Sequence, residues 1–129
     1  MPSQHRKHRG YATQRIVADY LAAHGFPYAE STGAGRSGSD VTGTPGIDWE
    51  IKARSKFDPA GTMRQLAERS EPTLLPVAVM RLNGQGEKSV QDFVVLLRFA
   101  DLVGLLRDAG YGDAKPIAAY DPQAKENRP

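Results

Sequence analysis

The chain contains no cysteine. Disulfides and thiolate metal sites are therefore excluded, and a reducing cytoplasm is the expected location. Nor is there any run near the roughly 18 to 20 apolar residues that a bilayer span requires, so no membrane partner is expected. The opening residues Met1-Pro2-Ser3-Gln4-His5-Arg6-Lys7 carry charge with no apolar run behind it, which does not read as a secretory signal. His5, His8 and His24 lack the spacing and partners of a zinc site. The glycine- and serine-rich stretch 31–39 lacks the Gly-Lys-Ser/Thr ending of a phosphate-cradling loop, and no internal repeat is present. What is there is a chain of 129 residues with 40% apolar content, enough for one domain around one core.

Charge is unevenly spread. Residues 1–56 hold eight Lys/Arg against five acids, and the remainder holds nine against ten. Positive charge gathered at the front of a chain suits contact with a phosphate backbone. Residues 1–9 read as a basic flexible arm, residues 10–110 as a single domain and residues 111–129 as a loosely held tail.

Along the domain, Ile16, Val17, Tyr20 and Leu21 recur at helical spacing over 11–24, with Gly25 as a stop. A short strand is expected at 28–31. Residues 40–42, a turn at 43–46 and a strand at 47–53 read as a β-hairpin. Asp58-Pro59 starts a helix that runs to about Arg69, with Met63, Leu66 and Ala67 facing inward. Residues 75–82 form an apolar strand, 93–97 a buried strand, and Leu102, Val103, Leu105 and Leu106 mark a last helix ending at Gly110. The order α-β-β-β-α-β-β-α predicts a mixed α/β fold with a central mixed sheet flanked by helices.

Chemistry concentrates at one strand. In Ile47-Asp48-Trp49-Glu50-Ile51-Lys52 the apolar residues alternate with three charged ones. A charged strand face is expensive to bury unless it has partners or a metal. If the hairpin closes around Thr44-Pro45, paired residue numbers sum to about 89, which sets Asp40 opposite Trp49 or Glu50. Asp40 and Glu50 can then share a hard cation such as Mg²⁺, with Mn²⁺ as substitute, and Lys52 shares their face. The decoy Asp113-Ala-Lys115 lies beside Pro116 with no strand and no second acid.

Gly38-Ser39-Asp40-Val41 followed by Trp49-Glu50-Ile51-Lys52-Ala53-Arg54 resembles the signature of the PD-(D/E)xK nuclease superfamily. More narrowly, the chain is similar to archaeal-type Holliday junction resolvases and resolvase-like phage endonucleases over about residues 9–97, where Arg9-Gly10 opens the first helix and 33–39 is the loop. The resemblance implies a restriction-endonuclease-like αβββαβ core and a Mg²⁺-dependent endonuclease acting on DNA, with branched junctions as substrate and a homodimer as the working unit. It also implies catalytic roles for Asp40, Glu50 and Lys52, with the metal on Asp40 and Glu50. Where the resolvases carry an acid on the first helix, this chain has Gln14, which can offer an amide oxygen but no charge; Asp48 is a candidate replacement for that charge. Gln65 stands where some nucleases of the superfamily have a glutamine, and serines of the loop (Ser31, Ser37, Ser39) are weaker candidates. Arg6, Lys7, Arg9, Arg36, Arg54 and Lys56 are the expected DNA contacts. A nicking or end-processing nuclease with the same site, or a DNA-binding module without cleavage, are the alternatives.

Overall fold

The computed structural model describes residues 4–33, 38–53 and 58–112, residues 4–8 by their backbone alone. The elements are α1 (Gln4–Ala23), β1 (Glu30–Ser31), β2 (Val41–Thr42), β3 (Ile47–Lys52), α2 (Pro59–Arg69), β4 (Leu75–Met80), a 3₁₀ segment (Glu87–Asp92), β5 (Val94–Leu96) and α3 (Phe99–Asp108). This is a mixed α/β fold, and the order of helices and strands is the expected one.

The first helix starts at Gln4 rather than near residue 11, so residues 4–9 of the expected arm are its first turns. Gln, Arg and Lys are good helix formers, and charge alone did not reveal that. The helix ends as its sequence predicts: Gly25 adopts φ 105°, and the Phe26 amide donates to the Leu21 carbonyl. α2 begins at the expected cap, where the Asp58 carboxylate accepts the Gly61 amide at 3.1 Å and Pro59 takes the first turn.

β3 and β4 run parallel, with Ile47 opposite Leu75 and Lys52 opposite Met80. β5 is antiparallel to β4 at the edge of this three-stranded mixed sheet. α1 covers one face. There Val17, Ala18, Val41, Trp49, Ile51, Val77, Val79 and Phe93 form the core. α2 packs on β3 and β4 through buried Thr62 and Leu66. Leu66 is fully buried, but Ala67, expected inside, is exposed. The 93–97 stretch was expected to be a buried strand. Only Phe93 is buried and Val95 is half exposed, because β5 lies at the sheet edge.

The hairpin differs from its expected form. β2 pairs with β1, in a separate two-stranded antiparallel sheet, and not with β3. The expected register nevertheless holds, because the Asp40 amide donates to the Trp49 carbonyl at 2.9 Å. Side chains replace the missing ladder: Ser39 Oγ accepts the Trp49 amide at 2.9 Å, and Asp40 Oδ2 accepts the Ile51 amide at 2.7 Å.

The chain divides into two compact units after Leu97, the first holding the sheet and the second holding α3. α3 is amphipathic, and Leu102, Val103, Leu105 and Leu106 are substantially exposed. No helix among the described residues is long and apolar enough to cross a membrane.

Gly43 and Gly46 bracket the turn that leads into β3, at φ 82° and 88°. A Cβ on Gly43 would collide with the Tyr28 carbonyl, whereas one on Gly46 would meet open space. Gly46→Ala should therefore cost about 1–2 kcal/mol for the left-handed backbone alone, and Gly43→Ala clearly more. Urea denaturation of the two variants checks this; equal losses would contradict the close approach of Tyr28.

Candidate active site

Asp48, Glu50 and Lys52 project from β3 toward α2, away from the core face of Trp49 and Ile51. Trp49 is anchored on that opposite face, its Nε1 donating to Thr44 Oγ1 at 2.8 Å. The three charged residues retain only 3%, 5% and 9% exposure. Isolated charges buried this far would be costly, so the partners decide what the site is.

α2 supplies them. Arg69 Nη2 donates to Asp48 Oδ1 and Nη1 to Glu50 Oε2, both at 2.7 Å, and Nη2 also reaches the Trp49 carbonyl at 2.9 Å. Burial works against the Arg69 charge, but the hydrogen bonds to Asp48 and Glu50 outweigh it and hold the guanidinium above its ordinary pKa. The Ser70 hydroxyl donates to Asp48 Oδ2. One turn earlier on α2, Gln65 Oε1 accepts from Lys52 Nζ at 3.1 Å, while Nζ lies 3.0 Å from Glu50 Oε1. The lysine is thereby fixed in direction by one charged and one neutral partner.

Asp40 enters from the segment before β2. Its bond to the Ile51 amide sets it at the strand edge beside the residue between Glu50 and Lys52. Burial pushes its pKa up to about 6; the Ile51 hydrogen bond opposes the rise, the charge of Glu50 adds to it, and Arg69 and Lys52 pull the other way. Asp40 thus lies close enough to Glu50 and Lys52 to feel the charge of both.

Other expected residues stand differently. Asp48 has both oxygens engaged by Arg69 and Ser70. Gln14 is half-buried, with an Oε1 that meets neither solvent nor a partner, and it makes no hydrogen bond to Asp40 or Glu50. Its turn of α1 lies near the C-terminal ends of β3 and β4: Thr13 Oγ1 accepts from Arg81 Nη1 at 3.0 Å, and the Arg81 amide donates to the Lys52 carbonyl at 2.8 Å. Ser39 is a backbone brace, donating to the Val41 carbonyl and accepting from Trp49. Ser31 belongs to β1. Of the expected DNA contacts, Arg9 is half-buried; the side chains of Arg6 and Lys7, together with Arg36, Arg54 and Lys56, lie outside the described residues, as do Ser37 and the decoy at 113–115.

Arg69, Ser70 and Arg81 were not singled out from sequence. For Arg69 a signal existed. Thr62, Gln65, Leu66 and Arg69 fall three and four apart on α2, a stripe that faces β3 and reads as inward only if polar residues are counted with apolar ones. Among the described residues no group of three or more His, Asp or Glu could hold a metal ion. Comparison with protein-family models, curated proteins and solved structures found no match.

The raised pKa of Asp40 has a consequence for stability. A folded-state value near 6 against an ordinary 3.8 means that its contribution to folding is intact below about pH 4 and is lost as pH rises through 6. Asp40→Asn keeps an acceptor for the Ile51 amide and removes the charge. In EDTA at pH 8 the variant should be more stable than wild type by about 1–2 kcal/mol, allowing for partial exposure, with the gain vanishing near pH 4. Urea titrations at the two pH values measure it; no gain at pH 8 would contradict the unfavourable burial of the charge.

Proposed function

We propose that this chain is a metal-dependent DNA endonuclease whose centre is Asp40, Glu50 and Lys52. The observation that carries the reading is the hydrogen bond from the Ile51 amide to Asp40 Oδ2, which draws an acid from a separate segment to the strand that bears Glu50 and Lys52. Buried acids set together at a net cost in stability are a common mark of a functional site. The order of elements from α1 to β4 agrees with a restriction-endonuclease-like core, and that is the architecture we propose.

The donor set fits Mg²⁺. Two carboxylates are enough for an ion that keeps several waters, and the rise in Asp40 pKa, to which Glu50 contributes, is the repulsion that a cation would relieve. Asp40 and Glu50 would hold it, with Mn²⁺ as substitute. Such an ion, when bound, polarises the phosphodiester and acidifies a water. Hydrolysis breaks a P–O bond as water oxygen bonds to phosphorus, the protons of the water ending on the leaving oxygen and in solvent. The Lys52 ammonium, steered by Glu50 and Gln65, offsets charge that develops on the phosphoryl oxygens. Glu50 must exchange a contact with Lys52 or Arg69 to serve as a ligand.

Branched DNA is the proposed substrate and a homodimer the proposed unit. Two symmetric cuts in one branched substrate need two sites, one from each subunit. The second reading, a DNA-binding module without cleavage, is favoured by one observation: Arg69 and Lys52 already engage both oxygens of Glu50.

Labelled junction, fork, duplex and single-stranded DNA incubated with Mg²⁺ and purified protein separate the two. Wild type should cut, with junctions preferred, and Glu50→Gln and Lys52→Ala should each lower the rate by at least about 100-fold while still binding DNA. Ca²⁺ should support binding with little cleavage. Full activity in excess EDTA, or of Lys52→Ala, would overturn the assignment; binding with no cleavage at all would favour the second reading.

A further inference from the structure

At the C-terminal ends of β3 and β4, Arg81 lies close enough to Arg9 to feel its charge. Arg81 follows β4, and its amide is tied to the Lys52 carbonyl at 2.8 Å. Its guanidinium is fixed by two bonds, Nε to the Gln85 carbonyl at 2.8 Å and Nη1 to Thr13 Oγ1 at 3.0 Å. The turn beneath it is braced in turn, since Gln85 Oε1 accepts the Leu82 amide and Gln85 Nε2 donates to the Asp92 carbonyl. Thr13 is fully buried, and its hydroxyl donates to the Arg9 carbonyl at 2.7 Å. Arg9 therefore sits one turn earlier on the same face of α1.

Neither guanidinium has a carboxylate in an ion pair among the described residues. Arg9 Nη2 is shut off from solvent and has no hydrogen-bond partner. A buried charged donor left in this state is costly to the fold. Burial first, and then the charge of Arg9, lower the pKa of Arg81, with Glu87 only partly offsetting them. Two planar forks, one held rigidly and one with an idle buried donor, match the oxygens of a phosphate group.

We propose that Arg9 and Arg81 form a phosphate-binding subsite at the C-terminal ends of β3 and β4, where they take a backbone phosphodiester of the bound nucleic-acid strand. Phosphate recognition stands on the arginine pair alone; the nucleic-acid source rests on the nuclease reading. The Arg81 amide ties this subsite to the strand end that carries Lys52. The Arg81 side chain is bonded to Thr13 of α1 and that of Lys52 to Gln65 of α2, so the two leave the sheet on different faces, and the phosphate held here is not the one presented to Lys52. The pair would hold the strand by its backbone without reading its sequence.

Two measurements in EDTA, where no cleavage intervenes, test this on wild type, Arg9→Gln and Arg81→Gln. The first compares melting temperature in sodium phosphate and in sodium chloride at equal ionic strength. Phosphate should raise the Tm of wild type and leave Arg9→Gln unmoved. In chloride Arg9→Gln should melt no lower than wild type, since Arg9 donates no side-chain hydrogen bond. The second measures binding of a labelled DNA duplex against salt; the logarithmic slope should fall by about 0.9 for each arginine removed. If Arg81→Gln does not fold, Arg9→Gln, which breaks no bond, decides. An equal phosphate effect in wild type and Arg9→Gln overturns the subsite. Loss of the phosphate effect with an unchanged DNA slope overturns the nucleic-acid source and leaves a site for free phosphate. If both arginine effects appear in a protein that never cuts DNA, the nuclease reading fails and the subsite stands.

Discussion

Arg69 is the residue on which the rest of the polar layer depends. Its guanidinium spans Asp48 and Glu50 from the far end of α2, with side-chain exposures of 23%, 5% and 6% for the three groups. At the surface an ion pair contributes little. Here both carboxylates are buried, and removal of their common partner would leave Asp48 without a counter-charge and Glu50 with Lys52 alone, a loss of about 3–5 kcal/mol for a buried pair broken in this way. The same contact docks α2 against β3, and this docking brings Gln65 to Lys52. Packing and chemistry are therefore coupled: the helix that holds the charged strand face in place also sets the direction of the proposed reacting lysine.

Asp40 depends on a different device. A regular hairpin would pair backbone with backbone and leave the aspartate as one more strand residue. Instead, the edge of β3 is finished by Ser39 Oγ and Asp40 Oδ2, which accept amides that a neighbouring strand would otherwise take. The carboxylate is locked to the strand and still sits close enough to Glu50 to feel its charge. Burial without full charge compensation is poor design for stability alone, and it is what a site poised for a cation or a reacting group would show.

Much of this was legible in the residues. The alternation in 47–52 identified both faces of β3, and the arithmetic of the turn set Asp40 opposite Trp49 or Glu50; the Asp40 amide bonds to the Trp49 carbonyl. Asp58-Pro59 and Gly25 marked helix ends through local chemistry, which needs no knowledge of the rest of the fold. What failed was long-range. That β2 would pair with β1 is a choice between partners that strand propensity does not rank, and whether β5 would be central or at an edge depends on what lies beyond it. Arg69 and Arg81 act at 19 and 68 residues from the partners they hold, Glu50 and Thr13. No window of sequence joins such residues. Arg9 was singled out for its charge, but its unpartnered nitrogen beside Arg81 becomes visible only once α1 lies against the strand ends.

The central claim is that Asp40, Glu50 and Lys52 act together on a phosphodiester. The most direct test is a single-turnover time course on an end-labelled four-way junction, started by adding Mg²⁺ to a preformed complex in EDTA, with wild type and Asp40→Asn run side by side. The account predicts Mg²⁺-triggered cleavage by wild type and none by Asp40→Asn, although the variant binds the junction and is the more stable protein at pH 8. Equal cleavage by the two proteins, or an intact junction with wild type under every divalent ion tried, would contradict it.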